Sequence, residues 1–237
     1  MLLNLLVIDI ETVPQEESYT NLSSVWQSLW IDKISKIVPE SLTPEESYQQ
    51  RAGILAEFGK IVCIVVGYFV EDEQKNVCLR LKSISRHNEK ELLENFKELL
   101  IKILKRNPNT QFAGHNIKEF DIPYICRRMI INEIGLPDFL QLNDKKPWEV
   151  KMFDTLHWWR FGDHKNYITL NLLASVLKVP TSKTDMDGSM VQHVYYKENN
   201  LKRIADYCEL DVIVTANIIL RYFGIPILDE KNIFSSK

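Results

Sequence analysis

Two short stretches near opposite ends of the sequence carry the residues best equipped for chemistry. Asp9 and Glu11 stand two apart in an apolar, strand-like run, a spacing that points both side chains to one face of a strand. Tyr207 and Asp211 stand four apart in a run with apolar residues at Ile204, Ala205, Cys208, Val212, Thr215, Ile219 and Tyr222. That spacing predicts a helix over Leu201–Tyr222, from one side of which Tyr207 and Asp211 project as neighbours. Three carboxylates and a phenol meeting at one point would suit a metal ion. Tyr207 and Asp211 alone are also what an ordinary surface pair shows, so the convergence is what would carry meaning.

The elements that must position them can be taken in order. Leu2 to Ile10 is nearly continuous and apolar, the pattern of a strand buried on both faces, with the two acids at its exit. Residues 13–60 form a polar, helix-prone insertion. Within it Leu22, Val25, Trp26, Leu29, Trp30, Ile34 and Ile37 recur at helical spacing, a core or docking face rather than a base-stacking one. Thr43-Pro44-Glu45-Glu46 is a helix start with a capping box. Ile61–Val70 and the alternating Val77, Leu79 and Leu81 are strands joined across Glu71-Asp72-Glu73. Asn88–Arg106 is an amphipathic helix opened by an Asn88–Glu91 box, with Leu92, Leu93, Phe96, Leu99, Leu100, Ile103 and Leu104 on its buried side. Thr110–Gly114 is a short strand that delivers His115 through Asp121 at its exit, followed by a helix through Pro123 to about Ile134. Lys151–Asp154 is another strand, Thr169 caps a helix over Leu170–Val179, and a polar loop at 181–189 precedes the closing helix. About five strands mixed with helices make an α/β fold, organised as one domain over residues 1–237.

Composition narrows the partners. The chain has 237 residues, 45% hydrophobic and 26% charged, enough for a real core. Its formal net charge of -3 argues against a broad, non-specific clamp on duplex nucleic acid. It does not argue against a nucleic-acid end held through cations, since two divalent ions would turn the balance positive. No apolar run reaches the ~20 residues needed to span a bilayer. The interrupted N-terminal run has no basic stretch before it and no cleavage site after it, which speaks against a signal peptide. Cys63, Cys78, Cys126 and Cys208 form no paired motif and are expected as reduced core thiols in a cytoplasmic protein.

Asp9-x-Glu11, Asn116-x3-Phe120-Asp121 and Tyr207-x3-Asp211, in that order and placement, resemble the tyrosine subgroup of the DEDD 3′–5′ exonucleases. Within that group the chain is similar to the proofreading domain of family B DNA polymerases, whose first motif also commonly reads Asp-Ile-Glu-Thr, and to stand-alone exonucleases predicted to be related to it. The resemblance spans essentially the whole chain and implies a ribonuclease H-like fold, a mixed five-stranded sheet flanked by helices. It implies two divalent cations, Mg²⁺ or Mn²⁺, which the all-oxygen ligand set also favours over zinc. By resemblance Asp9, Glu11 and Asp211 hold the ion that binds the attacking water. Asp9 bridges to a second ion held by Asp121, and Tyr207 orients the water. A phenol of ordinary pKa near ~10 is a poor base at neutral pH.

Thr12, Asn116 and Phe120 are implied as substrate contacts, Phe120 either lining the cleft or anchoring its helix. His115 is expected to hydrogen-bond a strand end, Asp154 to support the site or cap the next turn, and Lys183 to meet a phosphate or remain solvated. The expected activity is stepwise hydrolysis at the 3′ end of single-stranded or frayed DNA, releasing nucleoside 5′-monophosphates. The alternatives are an exoribonuclease of the same fold, or a silent module that binds nucleic acid or docks on a polymerase. A separate polymerase or repair protein is a candidate partner.

Overall fold

The computed structural model describes residues 1–37, 42–146, 149–163, 165, 167–181 and 186–236. In chain order the elements are β1 (Leu5–Pro14), α1 (Ser24–Ile34), α2 (Pro44–Arg51), β2 (Gly59–Glu71), β3 (Val77–Ser85), α3 (Glu89–Arg106) and β4 (Gln111–Gly114). They continue with α4 (Asp121–Ile131), β5 (Met152–Asp154), α5 (Thr155–Arg160), α6 (Leu170–Val176), α7 (Val191–Tyr196), α8 (Leu201–Tyr222) and β6 (Ile233–Ser236). The strands form one sheet in the order β5-β4-β1-β2-β3-β6. β1, β2 and β3 are antiparallel neighbours, whereas β4 and β5 run parallel to β1, and β6 runs parallel to β3.

Alternation along β1 sorts its side chains between two cores. Leu5, Val7 and Val13 face the layer containing α7 and α8. Leu6, Ile8 and Ile10 face the layer of α3 and α4. Asp9 and Glu11, in phase with Val7 and Val13, are thereby turned toward α8. Gly67 of β2 lets that helix come close, since a Cβ there would stand 2.8 Å from Val212 Cγ1.

Several boundaries differ from expectation. β1 begins at Leu5 because Leu2–Asn4 is a turn of 3-10 helix, and it runs on to Pro14 because β2 pairs with it that far. The two acids therefore lie inside a strand rather than at its exit. The register shifts between Glu11 and Thr12, the kind of bulge that sheets place beside functional sites. α4 starts earlier, at Asp121, and ends by Ile131, where Glu133 takes a left-handed φ of 60°. α6 stops at Val176 because Lys178 is left-handed, with φ 55°, two residues ahead of Pro180. A sixth strand, β6, joins the five expected ones; four residues ending in two serines give too little alternation to announce a strand.

Caps explain where helices begin. Thr43 Oγ1 accepts from Glu46 N while Glu46 Oε2 accepts from Thr43 N, the full reciprocal box. At α3 only half of the expected box forms: Asn88 Oδ1 accepts from Glu91 N, but Glu91 turns to Arg86 at 3.3 Å. α1 and α2 pack around Tyr19, Trp30, Ile34, Tyr48, Ala52 and Phe58. Trp30 is 0% exposed and donates to Ser47 Oγ at 3.0 Å, so it belongs to a core and not to a docking face. Trp26 stays 45% exposed, edge-on to Phe58.

This small core is tied to the sheet by a buried ion pair. Arg128 of α4 donates from Nε to Glu89 Oε1 at 2.9 Å, from Nη2 to Glu89 Oε2, and from Nη1 to Ala56 O at 2.9 Å. Glu89 Oε1 also accepts from Ile61 N at 2.7 Å. All four cysteines are free, three of them buried and Cys126 half-buried. No helix among the described residues is long and apolar enough to cross a membrane.

Candidate metal centre

The candidate site lies where β1 outruns β4. The two strands pair only from Leu5–Gln111 to Val7–Ala113, so beyond that point β1 has no strand partner on this side. The chain leaves β4 at Gly114, where a Cβ would stand 2.9 Å from Ile8 O and collide with Ile117. It turns through His115–Phe120 and enters α4 at Asp121. Asp121 Oδ1 then accepts from Ile10 N at 3.2 Å, taking the backbone donor that a longer β4 would have claimed. The buried Asp121 carboxylate is thus fixed beside the segment that carries Asp9 and Glu11.

From the opposite side α8 presents Tyr207, Cys208 and Asp211. The Tyr207 hydroxyl is hydrogen-bonded to the Asp211 carboxylate. Cys208 Sγ lies 3.1 Å from Asp9 Oδ2 and 3.5 Å from Asp9 O. One ligand atom each from Asp9, Glu11 and Cys208 lie within 4.8 Å of one another.

The electrostatics follow from this crowding. Burial, then the charges of Asp121, Glu11 and Asp211, push the Asp9 carboxyl well above the usual range. Burial, then Asp211, does the same to Glu11. Burial drives Asp121 up to about 7, against the lowering effect of its backbone hydrogen bonds. Burial and the neighbouring acids hold the Tyr207 phenol above its ordinary value, and its bond to Asp211 adds to this. Among the described residues, no basic side chain acts on Asp9, Glu11 or Asp121. An oxygen-rich, uncompensated acidic cluster of this kind, with Glu11 and Asp121 buried and Asp9 half-buried, fits hard divalent cations.

The family model described as "Predicted 3'-5' exonuclease related to the exonuclease domain of PolB" matches residues 54–227. The chain belongs to this family of predicted PolB-related exonucleases. The matched span takes in Asp121, Tyr207 and Asp211 and begins after Asp9 and Glu11, so the family assignment stands without the first acidic pair. A solved structure extends the likeness to the whole fold. The family B DNA polymerase from the hyperthermophilic archaeon Pyrobaculum calidifontis matches with a TM-score of 0.56 at 13% identity. The match covers 93% of this chain but 24% of the polymerase chain, so the likeness is to one part of a much longer protein. The fold of the chain is accordingly the ribonuclease H-like one. A comparison with curated protein sequences finds no match.

The structure gathers Asp9, Glu11, Asp121, Tyr207 and Asp211, and it distributes the remaining candidates differently. Thr12, just past the bulge, lies beside the Tyr124 hydroxyl, which itself donates to Gly53 O at 2.8 Å, a packing contact that the sequence did not suggest. Phe120 is half-buried with its ring 5.4 Å from that of Tyr124, which is the anchoring role. Asn116 sits at φ 62° in the turn before α4, and its Oδ1 is buried without a hydrogen-bond partner.

His115 hydrogen-bonds Ile168 O at 3.0 Å through Nε2 and Thr155 Oγ1 at 2.8 Å through Nδ1, and burial lowers its pKa. Lys183 lies outside the described residues. Asp154 fills both of its expected roles: it accepts from Leu156 N and His157 N to cap α5, and from Asn116 N and Lys118 N to brace the site turn. Cys208 is the residue whose place the sequence did not reveal. The available signal was its spacing of three from Asp211, which makes the two helical neighbours.

Proposed function

We propose that this chain hydrolyses the terminal phosphodiester bond at the 3′ end of single-stranded or frayed DNA, releasing nucleoside 5′-monophosphates one at a time. The observation that carries this reading is the convergence of Asp9, Glu11 and Asp121 with the Tyr207–Asp211 pair. Two divalent cations, Mg²⁺ or Mn²⁺, held by Asp9, Glu11, Asp121 and Asp211 would supply charge stabilisation at the phosphate and acidify the attacking water.

The side chains supply position. Tyr207 keeps its proton, because burial and the acids around it oppose ionisation; it therefore orients the water and does not abstract from it. The water oxygen bonds to phosphorus as the 3′-oxygen of the preceding nucleotide leaves and takes up a proton. Asn116 Oδ1, buried and unpartnered, is available to accept from the terminal nucleotide. The family's relation to the PolB exonuclease domain supports DNA as the polymer.

Tyr207→Phe is expected to leave Mn²⁺ affinity unchanged and lower turnover by about tenfold or more, the scale of a lost positioning group. Calorimetric Mn²⁺ titration beside single-turnover rates checks both halves. The direct test is 5′-labelled single-stranded DNA, beside matched RNA, with Mg²⁺, Mn²⁺ or chelator and with Asp9→Ala as control. A ladder shortening from the 3′ end of DNA, lost with chelator and in Asp9→Ala, is the expected result. Faster shortening of RNA would make the chain an exoribonuclease. No shortening of either by folded protein would overturn the enzyme reading in favour of a binding module.

A further inference from the structure

We propose that Cys208 is a positioning residue of the candidate metal centre, its thiol fixing the Asp9 carboxylate in the orientation that receives a divalent cation. The inference rests on the metal-dependent reading above.

Three observations carry it. Cys208 is completely buried, and its sulfur approaches both Asp9 O at 3.5 Å and Asp9 Oδ2 at 3.1 Å. The side chain therefore spans the backbone and the carboxylate of one residue, which restricts rotation of that carboxylate. Its other polar neighbours are Glu11 and the buried Cys63, which stand opposite each other in the β1–β2 pair.

A thiol suits this place physically. An isolated buried carboxylate oxygen needs a donor, but a strong one would compete with an incoming cation for the same lone pairs. An S–H is a weak donor, so it holds the carboxylate while opposing cation binding little. Partners that orient a metal ligand from behind usually matter at about ten- to a hundredfold in affinity.

The test is Mn²⁺ binding by the full chain, followed by the loss of the free-ion electron paramagnetic resonance signal. It compares wild type with Cys208→Ala, the apolar and slightly larger Cys208→Val and the donor-retaining Cys208→Ser, with melting curves to establish folding. Cys208→Ala and Cys208→Val are expected to bind about tenfold more weakly, and Cys208→Ser to stay within about threefold of wild type. Wild-type affinity in folded Cys208→Val would overturn the proposal while leaving the metal reading intact. Absence of Mn²⁺ binding by wild type would overturn the metal reading and this one with it. A sulfur-to-metal charge-transfer band in the Co²⁺ form would overturn it differently, by making Cys208 a ligand.

Discussion

Asp121→Asn is expected to raise the melting temperature of the metal-free protein by several degrees while lowering hydrolysis roughly a hundredfold or more, the scale of weakening a metal site. The amide keeps an oxygen to accept from Ile10 N and removes a charge from a cluster in which burial and like charges already oppose ionisation. The same physics fixes a pH dependence. With Asp121 at about 7 in the folded protein against an ordinary 3.8, the folded chain binds more protons than the unfolded one between those values. Stability of the metal-free protein therefore falls as pH rises from about 4 through 7. Asp9 and Glu11, also raised, act in the same sense.

Divalent cations bind the ionised acids, so the melting shift produced by Mn²⁺ should be larger at pH 8 than at pH 5.5. Thermal melts with chelator and with Mn²⁺ across this range measure both slopes. Metal-free stability that is flat or rising between pH 4 and 7 would contradict the electrostatic account.

The second large effect lies away from the site. Arg128→Ala should cost about 3–5 kcal/mol, the scale of leaving one member of a buried ion pair without the other. Glu89 would keep Ile61 N and Asn132 Nδ2 as donors but lose the guanidinium that neutralises it, and Ala56 O would lose its partner. The double replacement Arg128→Met with Glu89→Gln should recover at least half of that loss, since the glutamine oxygen can still accept from Ile61 N and no buried charge remains. Urea unfolding reads the difference as a midpoint shift at constant slope. If the double variant is no more stable than Arg128→Ala, packing rather than charge governs this contact.

How much of this was legible in sequence depends on the range of the interactions. α8 spans the residues its periodicity indicates, and α3 differs only in that Asn88 is its cap, because helix periodicity and caps are local. β1 was misplaced at both ends, since its limits are set by pairing with β2 some fifty residues on and by a bulge that no local pattern announces. β6 escaped for the same reason. In the site, the order of Asp9, Glu11, Asp121, Tyr207 and Asp211 could be seen, because two of the pairs have the spacing of one strand face or one helix face. The contacts of Thr12 with Tyr124, of Asp154 with the 116–118 backbone and of Cys208 with Asp9 join residues far apart in sequence. They depend on how the β4–α4 turn closes and how α8 docks on the sheet.

The contact between Cys208 and Asp9 spans 199 positions of sequence separation, and it has a consequence for the timing of assembly. The acids of β1 leave the ribosome well before α8, the helix that completes their site. A nascent or truncated chain ending before α8 carries Asp9, Glu11 and Asp121 but lacks the helix that faces them, and it exposes the apolar surface that α8 would cover. Such long-range closure is slow to form. Chemistry that needs Tyr207 and Asp211 is withheld from copies that stop before α8.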